Sequence, residues 1–325
     1  IMVLLAMAVG MPSTLQYYKD NAESMMFAKY QYVLSDYEDE DGNTVTTDNA
    51  DAEKFDMTSL QKKSDAFDEE VSVYGIENDS RYVQIDGLSA LKEGEVYIAK
   101  PFSEKYHLTK GDTVTLDEKY ENKKYTFKVA GIYEKCQSIA VFMPIGQFGK
   151  VFALKDGQFG GFLSDTEITD LEEDNVATVI TIRDITKMCD QLDHSMGSYM
   201  TYFQYLCILL SIVMIYLLTK LIIEKNENAI SMTKILGYKN SEIAGLYLMA
   251  TTIAVLLIDV VTVFLGEKVI VYVWAAMMTS YSGWFTFMVE PAGYLKMFAF
   301  VLIGYLIVMC FDFNRIRKIP MDEAL

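Results

Sequence analysis

The chain has 325 residues, of which 51% are hydrophobic and 22% charged, and its formal net charge is −17. The segment from Lys19 to Ser198 contains 36 acidic and 19 basic residues and so carries the whole negative excess, whereas the long apolar runs lie near the two ends of the chain. An acidic segment of this size argues against nucleic acid as a partner and does not favour contact with anionic lipid headgroups.

The first apolar run, Ile1 to Gly10, is predicted to be the end of a membrane helix that covers residues 1–14. It has no initiator methionine, and it lacks the basic start and the small-residue cleavage site of a signal peptide. We therefore expect the chain to be a fragment that is truncated in its first membrane helix. Pro12 and Ser13 are predicted to break this helix, and Leu15 to Leu34 to form a stalk helix that leads into a strand.

Residues 15–198 are predicted to form a mixed α+β extracellular domain, inserted between the first two membrane helices and large enough for its own core. Its polar stretch from Ser35 to Ala66 is typical of a hairpin tip or a loop. Asp39, Asp41 and Asn43 alternate as in a calcium loop, but the required glycine and glutamate are missing, which favours a solvated loop. Short β-branched and aromatic runs predict strands at Val71–Tyr74, Arg81–Ile85, Glu95–Ala99, Thr113–Leu116, Tyr125–Ala130, Ile139–Met143 and within Gln158–Ile182, with a helical turn at Pro101–Tyr106 and a helix at Asp184–Met196.

Three later apolar runs are predicted to cross a hydrocarbon core of about 30 Å as helices. The predicted fold class is therefore an α+β membrane protein with four transmembrane helices, the first of them partial. Basic residues cluster in the two segments that would then face the cytoplasm, and this places the acidic domain outside the cell. The expected order is membrane helix 1 (1–14), the outer domain with its stalks (15–198), helix 2 (199–223), a cytoplasmic loop (224–242), helix 3 (243–266), an outer loop (267–293), helix 4 (294–313) and a cytoplasmic tail (314–325).

The cytoplasmic loop is predicted to contain a short amphipathic helix from about Asn228 to Leu236. Ala229, Met232 and Leu236 share one face of such a helix, and Gly237 can end it because glycine tolerates positive φ. A short helix joined closely to two membrane helices suits the transfer of movement between a soluble partner and the membrane. An ordinary surface helix within a loop is the alternative.

Few other residues suggest chemistry. Asp259 interrupts the third apolar run, where a carboxylate is costly unless it is paired, neutral or in water. It either has a role at a helix interface or reaches water near the outer end of its helix. His107 and His194 have no metal-ligand partners at suitable spacing, and there is no phosphate-binding glycine-rich loop. We therefore predict neither a metal site nor a catalytic site.

Two cysteines and two tryptophans lie in predicted outer segments. Cys136 and Cys189 can form a disulfide there or stay reduced, because two distant cysteines do not define a disulfide framework. Trp274 and Trp284 are expected to anchor the chain at the outer membrane interface.

The order of the elements and three sequence motifs resemble the FtsX-like, or MacB-like, permeases of ABC transporters. The run Ala229-Ile-Ser-Met-Thr-Lys-Ile-Leu-Gly-Tyr238 is similar to the family motif Arg-Glu-Ile-Gly-Ile-Leu-Lys-Ala-Leu-Gly-Ala, with alanine where a glutamate is usual. The outer-domain run from Gly94 to Tyr133 and the end of the chain, from Arg315 to Leu325, are similar to the corresponding parts of the family.

The resemblance implies a multi-pass bacterial membrane protein, and the composition suggests a Gram-positive origin. The chain itself would bind no cofactor, since ATP and Mg²⁺ would bind a separate ATPase subunit on the cytoplasmic side. Other expected partners are a second permease copy or other permease half, the lipid bilayer, and an extracellular peptide or protein. The candidate ATPase-coupling residues are Ala229, Ile230, Met232, Thr233, Lys234, Leu236 and Gly237.

Two functions are consistent with this resemblance, and in neither is the chain an enzyme. In the first, ATP hydrolysis by the partner moves the outer domain to export or extract an amphipathic peptide, lipopeptide or lipoprotein. In the second, nothing is transported, and the moving outer domain regulates an extracellular hydrolase or a sensor kinase. Whether the subunit has four helices or is the C-terminal half of a larger permease stays open.

Overall fold

The computed structural model describes residues 2–39, 41–64 and 67–319. It divides into two units. The helical unit comprises Ile1–Tyr17, Gln191–Trp274 and Phe287–Leu325, and the sheet unit comprises Tyr18–Asp190 and Ala275–Thr286. The last residues of the tail, 320–325, which carry the end of the third family-like motif, lie outside the described residues.

The described part of the sheet unit contains one nine-stranded sheet in the order β3-β7-β4-β6-β5-β2-β8-β1-β9, in which β3 also pairs with β2. Six strands therefore close into a ring, and β8, β1 and β9 extend the sheet from β2. The β3–β7 and β4–β6 pairs are parallel, and the other pairs are antiparallel. The strands are β1 (Tyr30–Leu34), β2 (Glu53–Lys62), β3 (Glu69–Ile76), β4 (Glu95–Ala99), β5 (Thr113–Asp117), β6 (Lys124–Tyr133), β7 (Ala140–Pro144), β8 (Gly161–Ser164) and β9 (Val176–Thr181).

Alternation along the strands fills the inside of the ring. In β6, Tyr125, Phe127 and Val129 are buried, whereas Thr126 and Lys128 between them are exposed, as a period of two requires. These side chains join one hydrophobic core with residues of the neighbouring strands and of two short helices. The prediction of a mixed α+β domain with its own core is thus confirmed.

The described residues form eight α-helices. Two of them are very long: α5 has 44 residues and α7 has 39, so that α5 alone is roughly 66 Å in length. The predicted boundaries at residues 14, 198 and 266 all fall inside continuous helices. The helices are α1 (Met2–Asp20), α2 (Ala22–Met25), α3 (Lys100–Tyr106), α4 (Ile145–Val151), α5 (Ile182–Lys225), α6 (Glu227–Ile235), α7 (Asn240–Met278) and α8 (Pro291–Lys318).

The predicted break at Pro12 is wrong, because α1 continues through this proline. Proline at position 12 cannot donate to the carbonyl of Ala8, four residues earlier. In the structure, Gln204 of α5 donates to that carbonyl instead, at 2.8 Å. The helix therefore loses one internal hydrogen bond without leaving a buried acceptor empty.

The predicted strand at Arg81–Ile85 is also wrong. Its main-chain donors bond to side chains rather than to a neighbouring strand: Arg81 N donates to the Glu53 carboxylate at 2.9 Å, and the amides of Tyr82 and Val83 donate to Ser80 Oγ. Such local bonds compete with a sheet ladder. A strand that was not predicted, β2, occupies part of the polar stretch from Ser35 to Ala66.

The long helices of the helical unit expose rows of apolar side chains. Two segments of the described helices, Gly197–Lys225 and Pro291–Lys318, are long and apolar enough to cross a membrane. The third predicted span, 243–266, lies within α7. Exposed apolar surface on this scale is unusual in a soluble protein, and on α5 it includes Leu206, Leu209, Leu210, Val213, Met214, Leu217, Leu218 and Leu221.

Candidate coupling site

The short helix α6 follows α5 after one residue, Asn226, whose side-chain amide donates to the carbonyl of Ile222 at 2.7 Å. Its end is a Schellman motif, in which Gly237 N donates to Lys234 O at 3.0 Å and Tyr238 N donates to Thr233 O at 3.4 Å. Gly237 has φ +91°, a conformation that suits glycine. The sequence prediction of a helix ended by Gly237 is therefore confirmed.

One side of α6 packs against the ends of the neighbouring helices. Ile230 is fully buried, and Ser231 beside it is buried as well. Ile230 belongs to a small apolar cluster that fixes α6 within the helical unit, and the other members of this cluster are Ile223, Ile243, Ala244, Ile316 and Ile319.

Lys234 forms the polar part of the same attachment. Its ammonium donates to the carbonyl oxygens of Ile316 and Ile319, both at 2.6 Å, and more weakly to that of Arg317 at 3.4 Å. These carbonyls end α8, where helical acceptors lack internal donors and where positive charge is favourable. Burial lowers the pKa of Lys234, but the three acceptors compensate for much of the lost water. Lys234 thus joins the candidate site to the end of α8.

The other side of α6 is apolar and exposed. Met232 is 60% exposed and Leu236 is 75% exposed, and Ile235 and Tyr238 lie beside them in the sequence with more than half of their surface accessible. We call these four residues the α6 patch. An apolar patch at the end of a helical unit is a candidate docking surface for a partner.

The seven candidate coupling residues therefore divide between the two sides. Ala229, Met232, Leu236 and Gly237 are exposed and Thr233 is half-buried, whereas Ile230 and Lys234 point inward. In this structure Ile230 and Lys234 position the helix and do not offer their side chains to a partner. Sequence reasoning missed Ile235 and Tyr238, although Met232, Ile235 and Tyr238 have a spacing of three residues that could have indicated them.

An ion pair lies at the same end of the helical unit. Arg315 of α8 donates to the carboxylate of Glu224 in α5 at 2.5 Å, and Lys220 lies 3.8 Å from the same carboxylate. Since these side chains are partly exposed, the pairs contribute little to stability.

Asp259 lies near the middle of α7 and is only 4% exposed. Its Oδ1 atom has no hydrogen-bond partner among the described residues, and neither has Oδ1 of Asp312 in α8. The explanation that Asp259 reaches water near a helix end does not fit this burial. A role at a helix interface stays a prediction, because no described contact assigns one.

The remaining candidate residues have structural positions. His107 is exposed, with φ +53°, at the residue that ends α3. Cys136 is buried and free in the sheet unit, with its sulfur 3.1 Å from Ser138 Oγ. The side chain of Cys189 lies outside the described residues, so the structure describes no Cys136–Cys189 disulfide.

Comparisons with known proteins bear on the region around α6. Residues 202–321 match the family model described as FtsX-like permease C-terminal, a range that contains α6, α7, α8 and most of α5. Among solved structures, the chain is similar to the extracellular domain of the noncanonic ABC-type transporter YknZ from Gram-positive bacteria, with 14% identity, a TM-score of 0.28, and coverage of 43% of this chain and 85% of that chain. No curated protein matches the chain.

Proposed function

We propose that this chain, whose residues 202–321 match the family model described as FtsX-like permease C-terminal, is the permease subunit of a bacterial ABC transporter. In this proposal four transmembrane helices hold the acidic domain outside the cell. A separate ATPase subunit binds ATP and Mg²⁺ in the cytoplasm. The assembly contains a second permease copy or another permease half.

The α6 patch is the observation that carries the proposal. A nucleotide-driven subunit can push on a membrane helix only through a short element that is firmly joined to that helix. The contacts of Ile230 and Lys234 join α6 to the rest of the helical unit, while Met232 and Leu236 remain available to a partner. An exposed apolar centre with a polar and charged rim is the usual composition of a protein interface.

The path from α6 to the outer domain follows α5. This helix has 44 residues without interruption and begins directly after the last residue of β9. At that junction Asp184 accepts hydrogen bonds from both the amide and the hydroxyl of Thr181. The last residues of α1, which begin the predicted stalk Leu15–Leu34, form an exposed ion pair with α5 between Lys19 and Asp190, and such a pair adds little to stability. Movement at α6 would thus pass mainly along α5 into the edge of the sheet.

We further propose that this movement exports or extracts an amphipathic peptide, lipopeptide or lipoprotein. The nine-stranded sheet would then work outside the membrane, as a part that is moved rather than as a pore. The competing function is mechanical control of an extracellular hydrolase or sensor kinase. ATPase stimulation by a purified small amphiphile in nanodiscs favours transport, and stimulation by a protein partner alone favours mechanical control.

Co-purification tests the docking step. The full-length chain is co-expressed with the ATPase from its gene neighbourhood, and Leu236→Asp is compared with Tyr120→Asp, a change at an exposed residue of the sheet unit. We expect Leu236→Asp to weaken ATPase binding at least about tenfold and Tyr120→Asp to have no effect. Equal recovery of the ATPase with both variants would overturn the proposal, as would labelling of Leu236→Cys from outside the cell.

A further inference from the structure

The connection between α7 and α8 belongs to the sheet unit. Residues 275–286 cluster with the nine-stranded sheet, although the helices on both sides of them lie mostly in the helical unit. We call residues 279–286 the connecting segment. Connections between helices usually run over the surface with few buried polar contacts. Most residues of this segment are also exposed, but its main chain is hydrogen-bonded to a buried ion pair.

Lys105 of α3 and Glu69 of β3 form an ion pair beneath the connecting segment, and each side chain is only 1% exposed. The Lys105 ammonium also donates to Tyr281 O at 2.6 Å and to Gly283 O at 3.0 Å. An ammonium has three donors. Two of the three bonds made by Lys105 therefore go to main-chain carbonyls of the connecting segment.

The carboxylate of Glu69 binds the same segment. Its Oε1 atom accepts from Gly283 N at 2.8 Å and from Ser282 Oγ at 3.2 Å. Gly283 has φ +82°. In this turn its N–H donates to the Glu69 carboxylate and its C=O accepts from the Lys105 ammonium. Buried charges are tolerated only when they are paired and fully hydrogen-bonded. The pair is complete only with the connecting segment in place.

Two more contacts hold the segment beyond the ion pair. Trp284 packs against the main core of the ring and donates from Nε1 to Glu104 Oε2 at 2.8 Å. The amide of Thr286 donates to the hydroxyl of Tyr18 at 3.1 Å, and Phe285 meets the Tyr18 ring edge-on at 5.4 Å. Trp284 is thus part of the folded sheet unit, and its anchoring at the outer membrane interface stays a prediction.

We propose that the connecting segment is a force-transmitting tether, through which α7 and α8 act on the outer domain in addition to the two stalks. Lys105 and Glu69 are its positioning residues. This inference rests on the proposed function, because it concerns the route by which movement reaches the sheet. The chain enters the segment directly from the last turn of α7, so displacement of that helix pulls on the carbonyls that Lys105 binds.

Hydrogen exchange of the full-length complex with its ATPase in nanodiscs tests the tether, with and without ATP and Mg²⁺. The first variant is Lys105→Met with Glu69→Leu, which removes both charges and so leaves no unpaired ion. Its matched control is Lys128→Met with Glu95→Gln, a partly exposed ion pair in the same sheet with Nζ and Oε1 3.7 Å apart. A second comparison, Gly283→Val against Gly283→Asn, leaves Lys105 and Glu69 unchanged. Asparagine tolerates the positive φ of this position and valine does not, so only the valine variant should distort the turn.

We expect wild type, the Lys128/Glu95 control and Gly283→Asn to show an ATP-dependent change of exchange in β3 and α3. In the Lys105/Glu69 double variant and in Gly283→Val, the ATP-dependent change should be at least about fivefold smaller than in wild type, while their ATPase activity persists. A full response in both of these variants overturns the tether and leaves the proposed function intact. A wild-type complex without any response overturns the proposed function and the tether together. If the double variant does not fold, the Gly283 pair decides.

Discussion

Gln204 on α5 donates a hydrogen bond to the carbonyl of Ala8 on α1 at 2.8 Å, and this carbonyl is the one that Pro12 leaves without a donor. The two partners are 196 residues apart in the sequence, and their bond fixes the position of α5 along the axis of α1. This bond satisfies the acceptor that a proline inside an apolar helix leaves free. It also predicts an energetic coupling between Pro12 and Gln204 that a double-mutant cycle can measure.

Gln204→Leu should lower the thermal stability of the full-length chain in detergent, because it leaves the Ala8 carbonyl buried without a donor. The expected cost is about 1–3 kcal/mol. Pro12→Ala restores an internal donor for that carbonyl, so the double variant should lose much less stability than Gln204→Leu alone. Additive effects of the two changes would contradict this account of Pro12.

Lys234→Met should uncouple the ATPase while leaving its binding nearly intact. The change removes the cap on α8 but keeps the α6 patch, so a partner still docks on a helix that has lost its polar attachment to α8 and is held by the Ile230 cluster alone. We expect basal ATP hydrolysis with weakened substrate or partner stimulation, measured in nanodiscs. Lys239→Met, at an exposed residue of the same loop, is the control and should behave as wild type.

Asp56 should make the stability of the sheet unit depend on pH. Its carboxylate is buried in β2, and the loss of water raises its pKa to about 6 from an ordinary value of 3.8. The folded chain therefore holds this proton more tightly than the unfolded chain. The free energy of unfolding should fall as the pH rises from about 4 to about 6, by about 2–3 kcal/mol from this residue.

Asp56→Asn should abolish that part of the slope and raise the unfolding temperature at pH 7.5, compared with wild type. Asp156→Asn, at an exposed residue, serves as the control and should leave the slope as it is. Thermal unfolding of the full-length chain between pH 4.5 and pH 7.5 checks both. An unchanged slope in Asp56→Asn would show that this carboxylate is not desolvated.

Gly161→Ala should strongly destabilise the junction between β8 and its neighbours. A Cβ atom at this position would lie 2.0 Å from the carbonyl oxygen of Tyr32 and 2.9 Å from the Phe55 ring. Since Tyr32 contributes main chain rather than a movable side chain, relief requires a shift of β1. We expect a loss of at least about 1–3 kcal/mol, measured by denaturant unfolding, with Gly146→Ala, which meets no neighbouring atom within 4 Å, as the control.

The sequence allowed the prediction of α6 and its end, because periodic apolar residues followed by a glycine are determined locally. It also indicated most strands of the ring, where β-branched and aromatic residues alternate. It did not indicate β2, since Glu53, Lys54 and Asp56 give this strand a polar composition and its place depends on the strands beside it.

The functions of Lys234 and Trp284 could not be predicted for a related reason. A basic residue on a short helix and a tryptophan near a membrane helix each suit several surfaces, and sequence alone does not say which one they contact. The sequence predicts Lys234 to be an ATPase-coupling residue and Trp284 to be an anchor at the outer membrane interface. In the structure the end of α8 and the core of the ring are their partners, and both are distant in sequence.

The ring of six strands has unequal joints. β2 and β3 are paired along eight residues, from Phe55 to Lys62, whereas β2 and β5 meet at Gln61 and Asp117 alone. A closed cylinder under load yields first where the fewest bonds hold it. We therefore expect the seam between β2 and β5, which has the fewest backbone pairings in the ring, to be the first joint of the sheet unit to open under load.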